Sequence, residues 1–180
     1  MDDPVPFGSR WYVAMLVMLT FARGADFFST WVATPHLVLE GNPIAKWLGW
    51  KWGAAVNVLI CLAVSFWPLS AIIVATASVL VAARNFQSAW LMRTMGEYDY
   101  RDWYVRRMTE SPLGLYLVCL AGNTLLTAAV GAGLIVFAGG WLIPLAVGMG
   151  IVAYAVAVVL FTLLAVWRSR RAARQISTDI

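Results

Sequence analysis

The sequence predicts an all-α integral membrane protein, a polytopic bundle of about five transmembrane helices with a short amphipathic helix at the membrane interface. Of its 180 residues, 62% are hydrophobic and 12% are charged, whereas soluble domains contain about 45–50% apolar and about 25% charged residues. No charged residue occurs within 52–83 or within 111–167. As single helices these runs would measure roughly 48 and 85 Å, against a hydrocarbon core of about 30 Å. Each run must therefore fold back within the membrane, which excludes a soluble enzyme, a secreted domain and a disordered chain.

Prolines and glycines divide the apolar sequence into spans. The first span is predicted near 11–34 and ends before Pro35, because a proline disfavours helical dihedral angles in the preceding residue. A secretory signal peptide is the alternative for this segment, but its leader is acidic and its cleavage site is poor. Pro68 divides the first uncharged run, and Gly139-Gly140 divides the second. The other spans are therefore predicted near 48–67, 69–92, 112–137 and 141–167, within one integral membrane domain over 1–180.

The segment between the third and fourth spans predicts an interfacial amphipathic helix near 96–110. Its aromatic and sulfur-containing side chains recur at helical spacing, with charges of both signs between them. Two interpretations are open, an aromatic belt that fixes the depth of the helices and a docking surface for a partner protein. Ser111 is predicted to cap the fourth span, with Pro112 at its first helical position.

The basic residues predict the orientation, since they accumulate in short cytoplasmic loops. With five spans, the 35–51 loop, the 93–110 segment and the basic tail 168–180 share one side, and the acidic N-terminus lies on the other. We therefore expect a multi-pass protein of the cell inner membrane, with its N-terminus outside and its C-terminus in the cytoplasm. The net charge of +4 follows from this bias and requires no nucleic acid. The expected partners are the lipid bilayer and either a second copy or a larger membrane complex.

A polar stripe interrupts the first span and is the main candidate site. Charged groups inside a span are costly and usually functional. Two interpretations are open: Arg23 and Asp26, three residues apart on one face, neutralise each other as a structural pair, or they form an ion or proton site with Glu40 at its mouth. The stripe and its neighbours comprise Thr20, Arg23, Asp26, Ser29, Thr30 and Thr34.

The turn after the first span carries a second set of polar residues. Asn42 is predicted to cap a short helix that begins at Pro43. Asp26, His36 and Glu40 have the side chains that divalent metals bind, although their spacing matches no metal signature. Metal binding is therefore a weaker hypothesis than capping and interfacial solvation.

Polar residues also lie deep in the later spans. Asn57, Asn123 and Thr127 are predicted to contribute to helix packing, since an interhelical hydrogen bond in a membrane contributes about 0.6–2 kcal/mol. Asn123 and Thr127 share a face with Gly131 and other small residues, which predicts close helix packing there. A polar permeation path is the alternative. Cys61 and Cys119 are expected to be structural thiols. The chain contains no catalytic, ATP-binding or dinucleotide-binding motif, and no cofactor is identified.

The sequences D-F-F-S-T at 26–30 and E-G-N-P at 40–43 resemble a group of small uncharacterised prokaryotic integral membrane proteins. In that group a D-x-x-x-T helix is followed by an E-x-N-P turn. The resemblance is limited to residues 23–43 and implies no activity. It implies that the following residues belong to one unit: Asp26, Thr30, Glu40, Asn42 and Pro43.

These patterns favour a non-catalytic subunit or accessory protein of a membrane assembly. The first alternative is an intramembrane ion or proton site, or a small transporter, centred on Arg23, Asp26 and Thr30. The weaker alternative is a metal-dependent membrane enzyme that uses Asp26, His36 and Glu40.

Overall fold

The computed structural model of the protein describes residues 3–40 and 42–178, with side chains as far as Arg171. That part of the chain contains six α-helices and no β-strand. Five of the six are long and apolar enough to cross a membrane, and the exception is α4. This confirms the prediction of an all-α protein with five spans. The helices are α1 Arg10–Ala33, α2 Pro43–Val64, α3 Pro68–Met95, α4 Glu97–Glu110, α5 Leu113–Val136 and α6 Leu142–Thr178.

The third helix lies at the centre of the bundle. It packs against α1 on one side and α6 on the other, while α5 packs against α6. Because one span, α2, lies between them in the chain, α1 and α3 run parallel. Residues of α1 therefore contact residues 55 or 56 positions later in α3. Two neighbouring clusters form the core between these helices and α2. They comprise Met15, Ala71, Ile72 and Ala146 in one cluster, and Leu19, Ala22, Cys61 and Ala75 in the other.

The second helix is broken near its beginning. Asn42 caps it, since its Oδ1 accepts a hydrogen bond from the backbone N–H of Ile44 at 3.0 Å, and Pro43 occupies the first turn. Gly49 then adopts φ 64° and ψ −170°, a left-handed conformation that glycine tolerates. A short helix therefore precedes the span proper, as the Asn42–Pro43 sequence predicts.

The basic tail predicted at 168–180 does not form a separate segment. Helix α6 continues through it to Thr178, because no glycine or proline follows Gly150 to interrupt the helix. The side chain of Arg174 and the last two residues, 179–180, lie outside the described part of the chain. The uncharged sequence ends at Trp167, where the span is predicted to end, but the helix continues beyond it.

Ser111 occupies a different capping position from the predicted one. Its hydroxyl donates to the carbonyl of Arg107 at 2.7 Å, so it satisfies the C-terminal end of α4. Helix α5 begins at Leu113 without a side-chain cap. The N-cap prediction for Ser111 is therefore wrong, because its hydroxyl binds the last turn of α4 and not the first turn of α5.

Glycines make the contact between α5 and α6. A Cβ atom on Gly131 would lie 2.8 Å from the carbonyl oxygen of Gly148, so the two backbones touch. Thr124 is buried on the same face, whereas Asn123 is exposed. Thr127 donates to the Asn123 carbonyl within its own helix at 2.8 Å. Gly131 of the predicted packing face therefore makes the close contact, since small residues allow the closest backbone approach, whereas the exposed side chain of Asn123 does not contribute.

Candidate intramembrane polar site

Arg23 lies at the centre of a polar site between α1, α2 and α3. Its Nε donates to Asn57 Oδ1 on α2 at 2.8 Å, and its Nη2 donates to the same oxygen. Its Nη1 donates to Asp26 Oδ2 at 2.9 Å and to Ser78 Oγ on α3 at 3.2 Å. We call these four residues the Arg23 network. The guanidinium thus binds one partner on each of three helices.

Arg23 and Asp26 form an ion pair whose two side chains are only partly buried, with 26% and 17% of their surfaces exposed. The backbone carbonyl of Asp26 accepts a hydrogen bond from Ser29 Oγ at 2.8 Å. Glu40, in the turn after α1, lies close enough for its charge to act on the Asp26 carboxylate. Within the span, the pair therefore presents no net charge to the lipid.

Asn57 attaches α2 to the rest of the bundle. Its amide Nδ2 donates to the carbonyl of Gly53 at 2.8 Å, which leaves its Oδ1 free to face Arg23. One turn before Gly53, the ring of Trp50 makes an edge contact with Phe27 of α1 at 4.9 Å between centroids. Polar and aromatic contacts hold this helix, because Cys61 is its one buried residue in the described part of the chain.

A second polar contact joins α1 to α3 closer to the end of α1. Asn85 Nδ2 donates to Ser29 Oγ at 3.2 Å and to Thr30 Oγ1 at 3.1 Å. Thr20 is exposed on the outer surface of α1, and Thr34 binds elsewhere. Ser29 and Thr30 of the predicted stripe therefore join the site, whereas Thr20 and Thr34 do not.

The turn after α1 is held by its own polar contacts. Glu40 Oε1 accepts a hydrogen bond from the backbone N–H of Asn42 at 2.7 Å. Burial raises the pKa of Glu40, although the hydrogen bond from Asn42 and the charge of Lys46 lower it in part. Gly41 of the E-G-N-P sequence lies outside the described residues.

The structure does not bring the three predicted metal ligands together. Asp26 pairs with Arg23, and Glu40 binds its own turn. His36 Nδ1 lies 2.9 Å from Glu97 Oε1 instead. Within residues 3–40 and 42–178, no three His, Cys, Asp or Glu side chains lie close enough to hold a metal ion.

Sequence reasoning missed Glu97, the first residue of α4. Its carboxylate accepts hydrogen bonds from Thr34 Oγ1 at 2.6 Å, from the backbone N–H of His36 at 3.0 Å and from that of Val38 at 3.2 Å. With the His36 ring it has four partners, and its side chain is 7% exposed. We call this arrangement the Glu97 cluster. It fastens the turn after α1 to the interfacial helix.

The Glu97 cluster fixes an unusual backbone. Leu37 adopts φ 56°, a left-handed conformation that is unfavourable for a branched side chain. Burial alone would raise the pKa of Glu97, but the hydrogen bonds from Thr34, His36 and Val38 more than offset burial, and the pKa is lowered. No local pattern in the sequence indicates these contacts, since about sixty residues separate the partners.

Comparisons with protein-family models, with curated proteins and with solved structures returned no match to this chain.

Proposed function

We propose that the protein is a non-catalytic membrane protein, a small subunit or accessory protein of a membrane assembly, and that the Arg23 network is structural. The observation that carries the proposal is that all three nitrogens of the Arg23 guanidinium donate hydrogen bonds. It makes four hydrogen bonds to partners on three helices, and one of those partners neutralises its charge. A site that moves ions must exchange partners, whereas each nitrogen of this guanidinium is already bound to a group of the protein.

The energetics support a structural role. An arginine at the centre of a membrane helix costs about 2.5–3.5 kcal/mol on insertion scales. In this protein the same group contacts α2 and α3, and α2 buries few of its own side chains. Pairing therefore offsets the cost of the charge and, at the same time, attaches a helix that apolar packing alone holds weakly.

The proposed location is the cell inner membrane, with the N-terminus outside and the C-terminus in the cytoplasm. The odd number of candidate spans, five, supports termini on opposite sides of the membrane. The arginines of α4 and of the end of α6 support the cytoplasmic assignment for that side. The partners proposed are lipid and either a second copy or a larger membrane complex, to which α2 and α5 present mostly exposed apolar side chains.

A double-mutant cycle tests the structural role of the pair. Arg23→Ala or Asp26→Ala leaves one unpaired charge in the span, and we expect each to lower the free energy of unfolding by about 2–3 kcal/mol. The double variant should be less destabilised than the sum of the two single losses, because no charge is then left unpaired, while the contacts of Arg23 with Asn57 and Ser78 stay lost. The measurement is unfolding in mixed detergent micelles.

The exposed pair Arg101–Asp102 on α4 provides the matched control, since its side chains are 49% and 69% exposed. Alanine variants of that pair should change the free energy of unfolding by less than about 0.5 kcal/mol. If Arg23→Ala and Asp26→Ala are as mild as these controls, the structural proposal for the network is refuted.

Affinity purification of the full chain from native membranes tests the subunit assignment. We expect a partner in constant stoichiometry, or a second copy of the chain, in several mild detergents. Recovery of the monomer alone in every detergent would contradict the assignment.

An intramembrane proton or ion site is the second candidate. The position of Glu40 near Asp26 favours it, because this places two carboxyl groups at the end of the network that faces the turn. In proteoliposomes, Asp26→Asn would then abolish proton or cation flux while leaving the protein folded, and Asp102→Asn would not. Absence of flux with the unmodified protein would reject this candidate.

A further inference from the structure

The corner where the end of α4 meets the end of α6 carries a strongly basic surface that the proposed function does not use. Four of its five arginines are exposed, and one is half-buried between the helices. We call it the basic corner. Its residues are Arg106 and Arg107 of α4, and Arg168, Arg170 and Arg171 of α6.

Arg170 holds the basic corner together. Its Nη2 donates to the carbonyl of Met108 at 3.2 Å and to that of Ser111 at 3.1 Å. These carbonyls lie at the C-terminal end of α4, where the helix dipole attracts a cation. Its Nε is buried and has no hydrogen-bond partner among the described residues. Arg170 thereby holds this end of α6 against the end of α4.

Most of the positive charge at the basic corner is not neutralised by the protein. Arg107 meets Glu110 at 3.4 Å, a long contact between two exposed side chains. Arg106, Arg168 and Arg171 form no ion pair with any acidic side chain in the described part of the chain. The ends of the two helices therefore carry three exposed guanidinium groups whose charge no acidic side chain of the described residues neutralises.

The neighbouring tryptophan indicates the depth of the basic corner. The Arg171 guanidinium lies over the Trp167 ring, 5.4 Å from its centroid, and this ring is 58% exposed. Tryptophans at the ends of spans sit at the level of the lipid headgroups. Trp167 ends the long uncharged run, directly before Arg168, so the arginines lie at headgroup level.

We propose that the basic corner binds the phosphate groups of anionic phospholipids in the leaflet that adjoins α4. Guanidinium groups bind phosphate through paired, charge-assisted hydrogen bonds. The bilayer holds these phosphates at the depth of the arginines, and a lipid with net negative charge supplies the charge that the protein lacks there. The proposal does not depend on the role of the Arg23 network.

The test measures lipid binding to the full chain in a neutral detergent. Phosphatidylglycerol and phosphatidylcholine are titrated separately, and bound lipid is counted by native mass spectrometry. We expect phosphatidylglycerol to bind more tightly. The triple variant Arg106→Gln/Arg168→Gln/Arg171→Gln should lose roughly fivefold in affinity for each arginine, on the order of 100-fold in all.

Two variants provide matched controls. Arg10→Gln removes an exposed arginine at the opposite end of the bundle, and Arg101→Gln removes one that is paired with Asp102. Both should leave the affinity for phosphatidylglycerol within about twofold of the unmodified protein, because neither contributes free charge to the corner. A loss in Arg10→Gln equal to that in the triple variant would overturn the proposal.

The remaining outcomes distinguish a phospholipid site from a site for soluble anions and from unspecific lipid adsorption. Equal binding of phosphatidylglycerol and phosphatidylcholine by the unmodified protein would overturn the proposal without any variant. Inorganic phosphate that displaces phosphatidylglycerol at equal concentration would assign the corner to a soluble anion instead. If the triple variant is unfolded, Arg171→Gln alone must weaken phosphatidylglycerol binding roughly fivefold, and an unchanged affinity would refute the assignment.

Discussion

Removal of the Glu97 carboxylate is the sharpest test of how the interfacial helix is joined to the bundle. Glu97→Ala deletes the acceptor of hydrogen bonds from Thr34, from the backbone and ring of His36, and from Val38. Two backbone N–H groups and a hydroxyl lose their partner in a place where the side chain is 7% exposed. The perturbation is therefore confined to the turn after α1 and the start of α4.

The magnitude follows from the number and kind of these contacts. A hydrogen bond to a charged group contributes about 1.5–3 kcal/mol net. Because the His36 side chain is 77% exposed, water replaces Glu97 as the partner of its ring. The loss of stability therefore comes from the other three hydrogen bonds, which water replaces only in part. We expect Glu97→Ala to lower the free energy of unfolding by about 3 kcal/mol. Glu97→Gln keeps one acceptor oxygen and should cost about 1–2 kcal/mol.

Two measurements check this prediction. Unfolding in mixed micelles reports the global loss, and hydrogen exchange reports the backbone amides of His36 and Val38, which should exchange much faster in Glu97→Ala. Glu110→Ala is the control, because that side chain is 54% exposed and makes only a long contact with Arg107. If Glu97→Ala behaves as Glu110→Ala does in both measurements, the reasoning about the cluster is refuted.

The Glu97 cluster also implies a pH dependence whose sign is fixed. Because the pKa of Glu97 is lower in the folded protein than its ordinary value of 4.5, its contribution to stability is complete above that value. The contribution is lost as the pH falls through the lower, folded-state pKa. The difference in stability between the unmodified protein and Glu97→Gln should therefore be largest near neutral pH and shrink in acid. A constant difference from pH 7 to pH 3 would contradict this assignment.

Three further predictions concern single positions. Gly148→Ala should lower the free energy of unfolding by about 1–3 kcal/mol, since its Cβ would lie 2.6 Å from the Gly131 carbonyl oxygen, while Gly133→Ala, with open space around it, should cost nothing. Asn42→Ala should cost about 1 kcal/mol through loss of the α2 cap, and thermal unfolding measures both changes. Burial raises the pKa of Glu40, so its ionised form is disfavoured in the folded state. Glu40→Gln should therefore be neutral or slightly stabilising at pH 7, and a loss of stability there would refute the sign.

The arrangement of the spans could be predicted because a bilayer imposes it on any chain of this composition. Pro68 divides one uncharged run and Gly139-Gly140 divides the other, and the helices α3 and α6 begin at and after these residues. The ion pair between Arg23 and Asp26 also follows from local spacing, since residues three apart share a helical face. The cap at Asn42 is equally local.

The partners from other helices could not be predicted. Ser78 lies in the uncharged run of α3 and Asn85 just beyond its end, and neither carries a pattern that points to α1. They reach Arg23, Ser29 and Thr30 only because α1 and α3 run parallel with a fixed offset. The same holds for Glu97, whose partners lie some sixty residues earlier in the chain.

Composition and local spacing are sufficient to predict a membrane protein of five spans, the residues that divide its two uncharged runs, and two opposite charges within the first span. The thickness of the hydrocarbon layer and the geometry of one helix are sufficient for these conclusions. The packing of the helices against one another sets which groups satisfy those charges, leaves Asn123 outside the contact between α5 and α6, and brings His36 to Glu97 rather than into a site with Asp26 and Glu40. Such contacts depend on the register between separate helices, and the spacing of residues within one helix carries no information about it.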